Sequence, residues 1–301
     1  MKKCYYGQYV LLVFFALNTT RCKNSTHQKN NKGIEALSEE KTFQNQYNDL
    51  ARLNIIGKVK RIDYTTTDSL GHIRKKWYET FNDKGNFIGK FYLDSAESIK
   101  RHYTFDYQDM LLKTFSYFEV DSLKKQETYT YDNHRRVTKI DKGSIDETGW
   151  FMMYEKRKYN NKGFEIERTQ TRDWVFNGKK ENKQQWREEY RYDSLGNKTN
   201  ILKYNALDAL ISETRNVYNT HNKITSFETT NYAYDGDTSM SSAKISYDTR
   251  DNLLSVVFTG MLSGFEKYTY TYNDRNNWAE RTKSGSNTIL LNTSRVFTYY
   301  E

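Results

Sequence analysis

The chain runs to 301 residues with 36% hydrophobic, 28% charged and 16% aromatic side chains, 26 tyrosines, no proline and a formal charge of +9. A mean hydropathy of −0.96 would describe a solvated coil if aromatics were scarce, whereas this much tyrosine describes a thin folded sheet with a core of phenol rings. Both cysteines, Cys4 and Cys22, lie within the first 22 residues, which excludes a disulfide framework in the remainder.

Residues 1–22 read as a secretory signal, with Lys2 and Lys3 ahead of the apolar run Tyr9 to Leu17. The run is shorter than the roughly 20 apolar residues of a spanning helix. Cys22 sits where a bacterial lipoprotein carries its lipidated cysteine, although Thr19-Thr20-Arg21 departs from the small-residue pattern that such leaders show. The leader is therefore either plainly cleaved or of the lipoprotein type, with Cys22 as lipid anchor. Both predict an exported protein, periplasmic or attached to the outer membrane, that touches a membrane only through its leader or a lipid.

Residues 23–38 follow as a polar tether of Asn, Lys, Ser and Thr with little to bury. Over 39–54 the spacing of Phe43, Tyr47, Leu50 and Leu53 predicts a short helix that caps the edge of the first strand, which starts near Ile55.

From residue 55 to 301 one pattern recurs: an aromatic, then Asp or Asn, then a polar turn. The anchor aromatics are Phe81, Phe105, Tyr131, Tyr159, Tyr192, Tyr218, Tyr247 and Tyr272, at steps of 24, 26, 28, 33, 26, 29 and 25 residues. Near-constant spacing marks a repeat architecture. Three positions after the acid or amide stand Gly85, Asp109, Arg135, Gly163, Gly196, Asn222, Asp251 and Asn276, which apart from Arg135 are residue types that accept a positive φ. A type I turn closed by a left-handed residue is the expected hairpin connection. Ahead of each turn aromatic and charged residues alternate, as in Trp186-Arg187-Glu188-Glu189-Tyr190-Arg191-Tyr192, so one face is buried and one is wet. Charged residues at Glu79 and Arg157 interrupt the aromatic stripe. The expected fold is all-β, a curved antiparallel meander of about eight to nine hairpin repeats, with a longer hairpin around Thr171 to Gly178.

Tyr190-Arg191-Tyr192-Asp193-Ser194-Leu195-Gly196-Asn197, together with Tyr270 to Trp278 and the closing Arg295 to Tyr300, resembles the bacterial YD-repeat (RHS-repeat) group, in particular small exported members from Bacteroidetes-type bacteria. The resemblance covers about residues 55–301, and three of the eight anchor turns keep the family's glycine. It implies β-sheet. The chain lacks the proline-containing processing motif of the large toxin-carrying members, and so few units are not expected to close a large shell.

No constellation points to catalysis, a metal or a cofactor. His27, His72, His102, His134 and His221 are far apart with no second ligand at zinc spacing. A pair such as Glu188 and Asp193 has the chemistry of a glycosidase acid and base, but acids that recur at turns are explained by turn geometry. Lys2, Lys3 and Arg21 account for three units of the net charge of +9, and the rest is spread over strands, so no nucleic-acid interface is expected; acidic envelope polysaccharide or phospholipid is the better match. The expected role is non-catalytic binding of an envelope glycan or protein, or a structural one. Alternatives are a glycan-degrading enzyme and a companion protein of a secreted toxin.

Overall fold

The computed structural model describes residues 49–301 apart from 147–148, 177–178, 234–235, 261–262 and 287. The leader, Cys22, the tether and the first part of the expected helix lie outside the described residues. After a single helical turn, α1 (Asp49–Arg52), the chain forms β1 (Val59–Asp68), β2 (Ile73–Phe81), β3 (Phe87–Leu93), β4 (Ile99–Gln108), β5 (Leu111–Glu119) and β6 (Ser122–Tyr131). It continues through β7 (Val137–Asp146), β8 (Gly149–Tyr159), β9 (Glu165–Phe176), β10 (Lys179–Tyr192), β11 (Lys198–Asn205) and β12 (Leu210–Tyr218). The last third comprises β13 (Ile224–Tyr232), β14 (Thr238–Tyr247), β15 (Leu253–Gly260), β16 (Gly264–Tyr272), β17 (Trp278–Gly285) and β18 (Thr288–Tyr299).

Each strand pairs antiparallel with the next, and β1 pairs antiparallel with β18 from Val59 opposite Tyr299 to Asp68 opposite Leu291. The molecule is thus a closed 18-stranded barrel, which corrects the expected meander of eight to nine repeats with a capped edge. The spacing of anchor aromatics reports local hairpins, whereas closure joins segments some 230 residues apart and removes both edges that a cap would have to cover. Phe297 to Tyr299 finish β18. β10, the longest strand with 14 residues, and β9, with 12, lie where the longer hairpin was expected.

The turns share one chemistry. Asn82, Asp132, Asn160, Asp193, Asn219, Asp248 and Asn273 each accept, through Oδ1, the backbone N–H groups two and four residues on, at 2.8–3.1 Å. The residue at the third position is left-handed in each, glycine or not, and Arg135 adopts φ 62° there. A side chain that satisfies two backbone donors outweighs the modest cost of a left-handed non-glycine residue.

Burial alternates along the strands. On β1, Ile62, Tyr64, Thr66 and Asp68 are buried and Arg61, Asp63, Thr65 and Thr67 are less so; on β14 and β16, Ala243, Ile245 and Tyr268 are buried while Lys244, Ser246, Lys267, Thr269 and Thr271 are exposed. In a closed barrel the converging side chains are the buried ones, so the first set lines the lumen. Eighteen strands about 4.8 Å apart and tilted about 40° close at a radius of roughly 18 Å if circular, far wider than the about 10 Å over which facing sheets interdigitate.

The segment from α1 to β1 is fastened across the rim that carries the turns after the even strands. Asp49 Oδ2 accepts from Phe87 N (2.8 Å) and the Tyr107 hydroxyl (3.1 Å), and Leu50 N donates to Gly85 O (3.0 Å). Leu50 and Ile55 are buried with Val59, Ile62, Tyr64 and Phe81. Asn277, 1% exposed, clasps Ile56 from both sides, accepting from its N–H (2.6 Å) and donating to its carbonyl (2.9 Å). Asn277→Ala is expected to lower the unfolding free energy by roughly 2–3 kcal/mol, against about 1 kcal/mol for Tyr300→Phe, which removes one bond to Phe81 O. Urea titrations that rank the two variants the other way would show that the clasp is not what holds this segment.

Candidate functional site: the inner wall

Glutamates on the lumen face are each tied to neighbours. Glu79 accepts from the Tyr64 hydroxyl and Lys90 Nζ, both at 2.7 Å. Glu127 pairs with the Tyr129 hydroxyl (2.6 Å) and Lys125 (2.7 Å), and Glu266 with the Tyr268 hydroxyl (2.5 Å) and Lys283 (2.6 Å). Glu188 accepts from the Tyr190 hydroxyl at 2.7 Å. Glu155 is held by Lys142 (2.6 Å) and Arg157 (2.7 Å). Three of these share a Glu-x-Tyr spacing, which puts both side chains on one face of a strand. Burial and the adjacent carboxylates push the phenols of Tyr129 and Tyr268 well above their ordinary range. Burial would raise the Glu155 carboxyl, but the charges of Arg168, Lys142 and Arg157 outweigh it and bring the group down to about 2.

Around β1–β5 the inner wall carries a ladder of rings: Tyr64 on Trp77 (4.5 Å between centroids, 7° between planes), Trp77 to Tyr92 (6.2 Å), Tyr92 to Tyr103 (6.0 Å, edge-on) and Tyr103 on Tyr117 (4.9 Å). Tyr64 and Trp77 spend one face on each other and Arg295 lies over Tyr64 (5.0 Å), so the lumen meets chiefly ring edges and hydroxyls. Arg295 also stacks on Trp278 at 3.3 Å from the ring centroid, and Arg281 lies over the same ring at 5.3 Å. Farther round, Lys198 Nζ sits 3.4 Å from the Tyr190 ring centroid. Burial, with help from Arg168 and Arg157 against the pull of Glu165 and Glu188, lowers its amine to about 8.

The anchor residues form no single cluster. Tyr131, Tyr159, Tyr192, Tyr218 and Tyr247 end their strands at one rim, where their hydroxyls donate to the carbonyls of Leu112, Val137, Glu165, Lys198 and Ile224 at 2.7–2.9 Å. Tyr272 donates to Asp248 Oδ2 (2.6 Å). Phe81 ends β2, fully buried and stacked on Phe87 (4.7 Å). Phe105 lies inside β4 between Phe87 and Phe115, because the β4–β5 hairpin turns on only Asp109 and Met110, both left-handed, which moves the rim tyrosine to Tyr107. Glu188 faces the lumen and Asp193 caps a turn. No group of three metal-ligating side chains occurs among the described residues. The Glu-x-Tyr spacing was present in the sequence; the charges that interrupt the aromatic stripe, Glu79 and Arg157, prove to be held in ion pairs, with Lys90 and with Glu155.

No family model and no curated protein matches the chain. Among solved structures it is similar to a porin-like protein of Bacteroides uniformis ATCC 8492 (11% identity, TM-score 0.38, covering 80% of this chain and 96% of the other). It is also similar to one from Bacteroides vulgatus ATCC 8482 (12%, TM-score 0.28, covering 80% and 99%). A third likeness is to the Tc holotoxin pore of Photorhabdus luminescens (13%, TM-score 0.37, 78% of this chain but 14% of that one). With TM-scores below 0.5 these overlaps fix neither lineage nor activity.

Two expectations test the electrostatics of the wall. Glu155→Gln should destabilise the barrel by about 3–5 kcal/mol, since it leaves Lys142 and Arg157 without their carboxylate. A group whose carboxyl is depressed in the folded state stabilises it above the unfolded value and loses that contribution as pH falls toward about 2. Wild type should therefore lose stability more steeply than the variant below about pH 5, and parallel curves from acid denaturation would contradict the assignment. The second concerns Lys198, whose resonance in reductively 13C-methylated protein should titrate near pH 8 and vanish in Lys198→Arg; a midpoint near 10 would mean the amine is solvated.

Proposed function

We propose that the chain is an exported, YD-repeat-like barrel of the bacterial cell envelope that binds a glycan in its lumen without transforming it. The observation that carries the non-catalytic reading is the engagement of the inner-wall glutamates: Glu79, Glu127, Glu155 and Glu266 each hold a cation, and three of them a tyrosine hydroxyl as well. A glycosidase needs one carboxyl kept protonated near neutral pH, whereas Glu127 and Glu155 are held below the usual range, their cations outweighing burial. What remains is a wall of hydroxyls, ammonium and guanidinium groups, and ring edges, which suits the hydroxyl-rich rim of a sugar.

The outer wall supports the envelope reading without a lipid-embedded barrel. Lys244, Lys267 and Arg215 point outward among serines and threonines and are exposed, and a cation at the midplane of the lipid face costs about 2–4 kcal/mol. Such a barrel stands in water, tied to a membrane through its leader or a lipid on Cys22. Metabolic lipid labelling and fractionation of the full chain and of Cys22→Ala test the tether, and expression without residues 1–22 tests the wall. The shortened protein should be recovered folded without detergent; recovery only from the membrane pellet would overturn the water-facing assignment. A panel of envelope oligosaccharides gives the ligand arm, in which a blank across all members would reduce the role to a structural one.

A further inference from the structure

On the lumen side of the closing seam, three nitrogen donors are shut off from solvent and have no hydrogen-bond partner among the described residues: Trp77 Nε1, Arg281 Nε and Arg295 Nε. They belong to neighbouring strands. Arg295 stands opposite Tyr64 and Tyr64 opposite Trp77, while Arg281 stands opposite Thr293, two residues along β18 from Arg295. All three are donors, so what would satisfy them is an acceptor. No described carboxylate forms an ion pair with either arginine. The nearest acids are already engaged, Glu79 by Lys90 and Tyr64, and Glu266 by Lys283. Counting Lys90, Lys283, Arg281 and Arg295 against Glu79 and Glu266, this part of the wall carries two more cations than anions.

Trp278 and Tyr64 fix the guanidinium planes from the side, so the arginines hold their shape without a carboxylate partner. Arg295 shares a hydrogen bond with the Tyr64 hydroxyl, and both arginines are half-buried, so each keeps further N–H groups for an oxyanion. The geometry points to an anion subsite formed by Arg281 and Arg295, with Trp77 Nε1 as a further donor, that takes the carboxylate or phosphate of an acidic glycan. This deepens the binding reading above and rests on it: the ligand class becomes a sugar polymer that carries negative oxygen groups.

Isothermal titration calorimetry on the full chain with three probes separates the possibilities: an oligogalacturonate, its fully methyl-esterified and hence neutral form, and inorganic phosphate. The acidic oligosaccharide should bind about tenfold or more tighter than the ester, and Arg281→Gln and Arg295→Met should each bring its affinity to within about threefold of that of the ester measured on the same variant. Trp77→Phe keeps the ring ladder and removes only the donor, and should weaken the acidic probe severalfold; should an arginine variant fail to fold by circular dichroism, this variant and the other arginine decide the result. Equal affinity for the acid and its ester overturns the anion subsite while leaving glycan binding in place. Phosphate binding that the arginine substitutions abolish, without binding of either oligosaccharide, supports the subsite and removes the glycan reading. Silence from all three probes overturns the subsite, and competition between phosphate and oligogalacturonate would show that either group fills it.

Discussion

The ladder between β1 and β18 is the contact on which every other property of the molecule depends. Without it the same hairpins would form a ribbon with two bare edges and two solvated faces, and the glutamates and arginines of the inner wall would stand in bulk water. With it, Arg295 on β18 meets Tyr64 on β1, and through Tyr64 the ring ladder of β2–β5. The latch formed by α1 and residues 53–58 reinforces the seam: Asn277 before β17 holds Ile56 before β1, and Asp49 carries the latch on to β3 and β4. Closure brings together segments at opposite ends of the described chain, so loop-closure entropy opposes it and an extensive set of polar and apolar contacts is needed to hold it.

Closure also gives the acid–tyrosine pairs their character. A phenol hydrogen-bonded to a glutamate in water contributes little, but on a converging wall the same pair is partly desolvated and a lysine from the same strand or the next completes it. Glu127 with Lys125 and Tyr129, and Glu266 with Lys283 and Tyr268, repeat this arrangement far apart around the ring. A wall built this way is polar without free carboxylates, which explains how a lumen can be rich in acids and still offer mainly donors.

Turns and strand faces were legible in the sequence because they depend on residues within a few positions of one another. The Asx geometry at Asp132 or Asn219 follows from one side chain and the backbone next to it. Arg135 in a left-handed conformation is legible only in hindsight, since Asp132 fixes the turn whatever stands at its third position. Phe105 shows the limit: an aromatic followed by an acid looks like the other anchors, yet the two-residue turn at Asp109 and Met110 leaves it inside the strand. Closure had no local signature, because nothing in Val59 to Asp68 differs from an edge strand until Leu291 to Tyr299 is set beside it. The cation that joins each Glu-x-Tyr was partly visible: Lys125 stands two residues before Glu127 on the same strand, whereas Lys283 reaches Glu266 from the neighbouring strand.

The inner wall is not uniform around the ring, and the asymmetry bears on how a long ligand would lie. Bulky rings and charges crowd the arc from β16 through β18 and β1 to β5, whereas Thr214, Thr229, Ala243, Ile245 and Val256 line β12–β15 with small or aliphatic side chains. Thr214 and Thr229 satisfy each other at 2.9 Å, and Ala243, Ile245 and Val256 pack together with Phe227 and Phe258, so that arc offers few donors. A polar chain against β12–β15 would meet hydrocarbon and self-paired hydroxyls, whereas both the seam and the arc from β6 to β11, with Lys142, Arg157, Arg168 and Lys198, carry charged groups.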